Sequence, residues 1–434
     1  MGISRRRTNL ALAALASAGF VYVTAETAPI GLLPQLSHGL HVSAGAVGLL
    51  VSIYAGVAGL AAIPVTAWTT RVPKGRLVMG ALSLLTLTQF GVALAPDYAV
   101  VMGLRAICAV AHGVFWAVIA IVAADLDVPG RAGRATAIVF AGNSLAVVAG
   151  TPLVNALGTS LGWRPAEAVI AGAGVLVTVA VAAFVPLGAG AGAGAGARAG
   201  SALGSISGAA RNGALLAICA TTALVVLGHY SVYTYITRLI EHNTGLTGLA
   251  VAAVLFAFGA AGVVGNGLAG ATLDRWPRPT VFTVVALVAA SLAVIGLAGR
   301  GATVVTIVAM IAWGAAFTAF PTCLQAGVLR VAPEHPETAS AIFVVAFQIG
   351  IGGGALLGSV LVDGGHLGAL PFLGAVIAAG GLAVLVVFRQ AIPRRGHERH
   401  ASMATVQVSS DLSPASFAQP VYAKDDQANR GQDH

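Results

Sequence analysis

The sequence predicts an all-α membrane protein: twelve transmembrane helices in two six-helix halves. Composition is the first observation. Hydrophobic residues make up 57% of the 434 and charged residues 9%, with a mean hydropathy of +0.89; an ordinary globular chain is about a quarter charged. Second, apolar runs of about 20 residues, enough to cross about 30 Å of hydrocarbon, recur along the chain. Third, the chain repeats. Arg71-Val72-Pro73-Lys74 meets Arg275-Trp276-Pro277-Arg278 at an offset of 204, the same offset that separates the starts of the two halves.

The first run follows Arg5, Arg6 and Arg7 and continues past Ala25. It lacks the short apolar core of a cleavable leader, so it reads as a retained helix over 8–33. Breaks in the pattern then place spans at 44–69, 77–95, 98–122, 134–157 and 165–187. The second half runs through 212–236, 247–271, 279–298, 302–327, 338–362 and 368–389. The organisation is therefore a six-helix bundle over 1–187, a Gly/Ala/Ser-rich linker over 188–211, a second bundle over 212–389 and a polar, disordered tail over 390–434.

Basic residues set the orientation. With the N-terminus inside, the cytoplasmic segments before the tail hold thirteen Lys and Arg, against three (Arg164, Arg238, Arg300) in the outer loops. The positive-inside rule then puts both termini and the linker in the cytoplasm. This distribution also accounts for the net charge of +8, which in a soluble protein would point to nucleic acid; no nucleic-acid partner is expected. Cys108, Cys219 and Cys323 lie far apart in apolar runs, with neither disulfide nor metal spacing. Neither lysine, Lys74 or Lys424, ends a Gly-rich phosphate loop, which excludes a Walker-type ATPase. No nucleophile–base or metal constellation suggests an enzyme, and no cofactor is expected. Six plus six spans in parallel repeat suit a monomeric transporter that rocks two bundles about a midplane site.

One acid stands out. Between Thr8 and Thr70 the chain carries no charged side chain except Glu26. Counted from Thr8, Glu26 lies about 27 Å along its helix, in the outer half. Arg105, the one deep basic residue, lies about 10 Å from the outer end of span 4, at similar depth. An intramembrane ion costs about 3 kcal/mol or more unless paired or hydrated, so two opposite ions at one level predict a shared polar site. His112 and Trp116 follow Arg105 at helical spacing on the same stripe. Two readings stand: a structural ion pair with packed aromatics, or a proton site in which Glu26 changes protonation and Arg105 tunes it. His229, Tyr230 and Tyr233 in span 7, with Trp313, Phe317 and Gln325 in span 10, add candidate substrate contacts from equivalent helices of the second half. Aromatic faces beside hydrogen-bonding groups, with one acid and one base, suit a neutral, polar or amphiphilic small molecule. Gly350, Gly354 and Gly358, four residues apart, predict close helix packing rather than chemistry.

These residues resemble the major facilitator superfamily over most of 8–389, within it the bacterial drug/proton antiporter branch containing the arabinose and sugar efflux permeases. Span 1 carries Glu26, Gly31, Leu32, Leu33 and Pro34 in the pattern Glu-x₄-Gly-Leu-Leu-Pro. Span 4 carries Arg105 and then Ala111-His112-Gly113-Val114-Phe115-Trp116. Gly150-Thr151-Pro152 is similar to the antiporter glycine–proline motif, and Gly162-Trp163-Arg164 is typical of the branch. Gly270, Asp274, Arg275 and Arg278 have the family's loop spacing. The first-half loop keeps Arg71 and Lys74 but has Thr66 and Thr70 at the glycine and aspartate positions. The resemblance implies a proton-driven exporter, Glu26 and Arg105 in coupling, and sugars, glycosides or amphenicol-type drugs as substrates, with purine nucleosides behind them. An uncoupled facilitator and a non-transporting membrane sensor are the alternatives.

Overall fold

The computed structural model describes residues 5–69, 72–126, 132–189, 211–273, 275–333 and 336–392. Arg71 and Asp274 of the two loop motifs, most of the linker and nearly all of the tail lie outside the described residues. All regular structure among the described residues is helical, and twelve helical stretches are long and apolar enough to span a membrane.

The first six spans start with α1 (Arg5–Gly31), which breaks at Leu32 and resumes as the short α2 (Leu33–Gly39). Pro34 occupies the first turn of α2, where its missing N–H costs nothing. Ser43 caps α3 (Ala44–Trp68), its hydroxyl accepting from the Ala46 amide at 3.0 Å. Next come α4 (Lys74–Leu94) and α5 (Tyr98–Leu126). The fifth span is not one regular helix: α6 (Ala132–Leu145) passes through a π turn (Ala146–Gly150) into α7 (Thr151–Leu161). Gly162, at φ 89°, then turns the chain into α8 (Trp163–Phe184).

The last six spans open with α9 (Gly213–Tyr233), capped by Asn212, whose Oδ1 accepts from the Ala214 and Leu215 amides. The sequence predicts span 7 to run on to 236. Instead the helix stops at Tyr233, and a separate short helix, α10 (Ile236–Thr244), ends at the left-handed Gly245. Then follow α11 (Leu249–Leu273), α12 (Pro277–Ala298), α13 (Thr303–Val331), α14 (Pro336–Asp363) and α15 (Leu370–Val387).

The internal repeat reappears as packing. In the first set α1 packs on α6 and α8, α3 on α5, and α4 on α5 and α8. The equivalent helices of the second set make the same choices: α9 on α14 and α15, α11 on α13, and α12 on α13 and α15. Glycine permits the closest approaches. Gly354 and Gly358 of α14 lie against the Leu227 and Ser231 carbonyls of α9, where an added Cβ would come within 2.5 Å, as their spacing predicts.

The two sets meet through α3 against α14 and through the π turn and α7 against α11. At the end of the molecule remote from Arg5, Asp363 of α14 acts as a cap supplied by the other set. Its carboxylate accepts from the Gly45 amide at 2.9 Å and the Ser43 hydroxyl at 2.7 Å, at the N-terminus of α3. A carboxylate there faces the positive end of the helix dipole. Deeper in, Gly352 lies against the Ser52 carbonyl, Gly59 against Gln348, and Gly259 against the carbonyls of Val147 and Val148.

Candidate functional site

The site begins with a missing hydrogen. Pro29 lies inside α1 and has no amide N–H, so the Ala25 carbonyl one turn earlier loses its helical donor. Arg105 of α5 fills the vacancy, donating from Nη1 to the Ala25 carbonyl at 3.2 Å and from Nη2 to the Glu26 carbonyl at 2.9 Å. Its Nε donates to the Leu50 carbonyl of α3 at 3.5 Å, and the guanidinium lies 4.9 Å from the Tyr54 ring centroid. Arg105 is only 4% exposed. It pins three helices together.

Of the two readings the sequence left open, the geometry shows no side-chain ion pair between Arg105 and Glu26. The guanidinium is spent on backbone carbonyls, because Pro29 creates an acceptor that must be satisfied. The Glu26 carboxylate lies instead 3.8 Å from His112 Nδ1, and its side chain is 22% exposed. The Tyr54 hydroxyl is 3.2 Å from the same nitrogen. Tyr22, Tyr54 and Trp116 all present rings edge-on to His112, with centroids 5.4 to 6.3 Å away.

A small cavity opens beside Glu26. Its wall comprises Glu26, Thr27, Ile30, Val51, Tyr54, Ala55 and Arg105 from the first set, and Tyr230 and Ile351 from the second. Glu26 and Arg105 therefore share one chamber, and Tyr230 joins them from across the seam.

The second-set aromatics form a cluster around His229. It stacks on Phe317 and Tyr233 and meets Tyr230 and Trp313 edge-on, at 4.9 and 5.0 Å. The Tyr233 hydroxyl lies 3.5 Å from Thr151 Oγ1, which donates to Thr27 Oγ1 at 3.2 Å, so the cluster reaches α1 through α7. His229 Nδ1 and Trp313 Nε1 are buried without a hydrogen-bond partner. Gln325 is not drawn into this group. It lies two turns along α13 and donates to Ser340 at 2.8 Å.

The glycine–proline motif packs against α1. Gly150 closes the π turn where a Cβ would meet Thr24 Oγ1 at 2.7 Å, and Pro152 sits in the first turn of α7. Asn155, one turn on, donates to the Gly31 carbonyl at 2.8 Å. The loop residues lie far from the cavity. Lys74 is buried at the start of α4, Arg275 lies over the Trp276 ring at 5.5 Å, and Arg278 Nε donates to the Ile392 carbonyl at 2.8 Å. Gly270 lies on α11, one turn before its end.

Sequence reasoning passes over three polar residues. Tyr54 is one, hidden among the apolar residues of α3. The others are Glu167 and Gln89, joined by a 2.6 Å hydrogen bond from Nε2 to Oε2 and each 2% exposed. Their signal is one of depth: Gln89 lies five residues from the end of α4, and Glu167 four residues from the start of α8.

The Major Facilitator Superfamily profile matches residues 15–355. A chloramphenicol efflux pump of Mycobacterium tuberculosis, in strain CDC 1551 / Oshkosh and in strain ATCC 25618 / H37Rv, is 39% identical over 360 residues. The match covers 81% of this chain and 86% of the pump. Among solved structures, a peptide transporter POT in complex with sulfate superimposes with a TM-score of 0.70 at 12% identity, covering 88% of this chain and 96% of that one. The nucleoside transporter NupG gives 0.67 at 14% identity, covering 88% and 99%. At that identity the two structures speak for the fold alone. A family-wide match, a curated relative at this identity and twelve membrane-length helices lead to one conclusion: the chain belongs to the major facilitator superfamily, a multi-pass membrane transporter and not an enzyme.

Proposed function

We propose that the protein is a proton-coupled exporter of small neutral or amphiphilic molecules, with chloramphenicol and its amphenicol kin the first candidates. The observation that carries this reading is the single carboxylate on the cavity wall. Glu26 is partly exposed there, while Arg105 behind it is locked to backbone carbonyls. Glu26 is free to gain and lose a proton as the cavity changes sides. Arg105 holds α1, α3 and α5 in register while it does so, and His112 offers the carboxylate a nearby polar partner.

Substrate and proton compete for one chamber. A molecule held between Tyr230 and the wall of α1 and α3 lies against Glu26; a hydroxyl or amide N–H that it donates to the ionised carboxylate favours the deprotonated state, and its departure lets the proton return. The ring of Tyr230 on the wall, backed by the cluster of His229, Tyr233, Trp313 and Phe317, favours a flat or amphiphilic solute. A permanent cation would want more unpaired acid, and a dianion more than one base. The name of the mycobacterial relatives supports a drug of this type and the outward direction; sugars and purine nucleosides come second. Both termini lie in the cytoplasm on this reading, in a bacterial inner membrane. The Asp363 cap then closes the outer face.

Inverted vesicles energised by respiration test the proposal. Adding chloramphenicol should collapse part of the pH gradient with wild-type protein and leave it intact with Glu26→Gln. A normal response from Glu26→Gln removes the coupling role. A response confined to organic anions or quaternary amines removes the substrate class.

A further inference from the structure

Glu26 points two ways. Its carbonyl faces the C-terminal end of α1, where Arg105 Nη2 donates to it at 2.9 Å. Its side chain leans towards the helix N-terminus, as helical side chains do, and brings a carboxylate oxygen to 3.8 Å from His112 Nδ1. That is long for a hydrogen bond but within the range of an ion pair. The Tyr98 end of α5 lies by the N-terminus of α3, remote from Arg5. His112 follows Arg105 by seven residues, so it lies about 10 Å nearer the Arg5 end.

The imidazole stands behind the carboxylate. Glu26 lines the cavity and His112 does not. His112 is 9% exposed, with the ring edges of Tyr22, Tyr54 and Trp116 around it. A solute in the chamber therefore reaches Glu26 first. Tyr22 of α1, Tyr54 of α3 and Cys108, one turn earlier on α5, are weak acids that ordinarily hold their protons near neutral pH. Arg105 is committed to carbonyls, and Tyr230 of the second set lies on the cavity wall.

An enclosed imidazolium needs an anion beside it. Glu26 is that anion only after it has given up its own proton, so the pair holds one proton between two seats. Tyr54 serves both arrangements. Its hydroxyl, 3.2 Å from Nδ1, donates to the bare nitrogen and accepts from the protonated one.

We infer that His112 is the proton acceptor of Glu26. A solute that donates a hydrogen bond to the carboxylate favours its ionised form. The Glu26 O–H bond breaks, an Nδ1–H bond forms, and a neutral pair becomes carboxylate and imidazolium. Water admitted from the Arg5 end then takes the proton from the ring. The inference rests on the reading of Glu26 as proton carrier, and it gives the released proton its first stop on the inward side.

The competing roles for His112 are a packing ring held by Tyr54 and a direct substrate contact. His112→Gln keeps a polar partner for Tyr54 but cannot carry the proton. In inverted vesicles energised by respiration, it should lower the maximal rate of chloramphenicol-driven proton movement about tenfold or more, with KM within about twofold of wild type. A wild-type rate makes His112 packing and overturns the inference. So does an unchanged maximal rate with a KM about tenfold higher, the mark of a substrate contact.

Nitrogen-15 NMR of histidine-labelled, full-length protein reads the transfer directly. At about pH 6, chloramphenicol should convert one neutral ring to imidazolium in wild type and none in Glu26→Gln. That signal should be missing from His112→Gln. No conversion in wild type, or the same conversion in Glu26→Gln, overturns the inference. Should His112→Gln fail to accumulate in the membrane, the other two spectra decide. Glu26→Gln in the same vesicles keeps the two readings apart. If it uncouples while His112→Gln responds like wild type, the acceptor role alone fails. If it couples normally, the carrier reading fails and the acceptor role falls with it.

Discussion

At the scale of single residues, the chemistry turns on which acceptor a guanidinium takes. Arg105 bonds to the carbonyls of Ala25, Glu26 and Leu50 from three different nitrogens. Arg105→Lys should therefore be far from conservative, because an ammonium on a flexible stem cannot reproduce a planar fork. We expect a loss of about 1–3 kcal/mol in stability for the lost buried hydrogen bonds and a drop in transport of tenfold or more. Melting in detergent and drug-driven proton flux check the two parts. Tyr54→Phe removes only the hydroxyl beside His112. Its cost should be about 1 kcal/mol and a few-fold in rate, well short of Glu26→Gln. The carboxyl and guanidinium of the site were legible in the sequence, because ionisable side chains are so rare inside apolar runs. Their partners were not. No spacing rule says that Pro29 would turn Arg105 towards backbone, or that His112 would then face the Glu26 carboxylate. Glu167 escaped for another reason: four residues from the start of α8, it reads as a span-end acid until the packing of α4 shows it enclosed.

At the scale of helices, glycine decides how near two axes come. Gly142 of α6 faces the Ala16 carbonyl of α1 with no room for a Cβ, whereas Gly103 of α5 has open space around it. Gly142→Ala should force α1 and α6 apart and cost about 1–3 kcal/mol, the usual penalty of overpacking. Gly103→Ala should be neutral or mildly stabilising, as alanine is the better helix former. Melting the two variants side by side tests the contrast. Twelve membrane-length runs were easy to find from the sequence, since about 20 apolar residues is a strong signal. The breaks within them were harder. Leu32 and the π turn at Ala146–Gly150 interrupt runs that hydropathy reads as continuous, and the helix that stops at Tyr233 ends short of the expected 236. Hydropathy does not register them. They follow from which backbone groups lose partners and which neighbour replaces them.

At the scale of the whole molecule, the two sets of six spans are held at one end by Asp363 across α3. Asp363→Ala should loosen that end. A cysteine placed at Val51 on the cavity wall should then react several-fold faster with an impermeant thiol reagent applied from outside, while Cys108, Cys219 and Cys323 stay buried and silent. Faster labelling from the cytoplasmic side instead would reverse the proposed orientation. Below that cap glycines smooth part of the seam, although Tyr235 reaches across it to Gly48 and Tyr233 to Thr151. Gly59, Gly259 and Gly352 set backbone against backbone or against a single side chain, where interlocking side chains would otherwise grip. The consequence is kinetic. Surfaces that meet in this way part without unlocking rotamers one by one, so the seam adds little to the activation barrier of rocking. The catch at Asp363 and the Tyr233–Thr151 contact are then the polar side-chain links that must part, and the pace of turnover is expected to follow them more than the broad contact between the glycines.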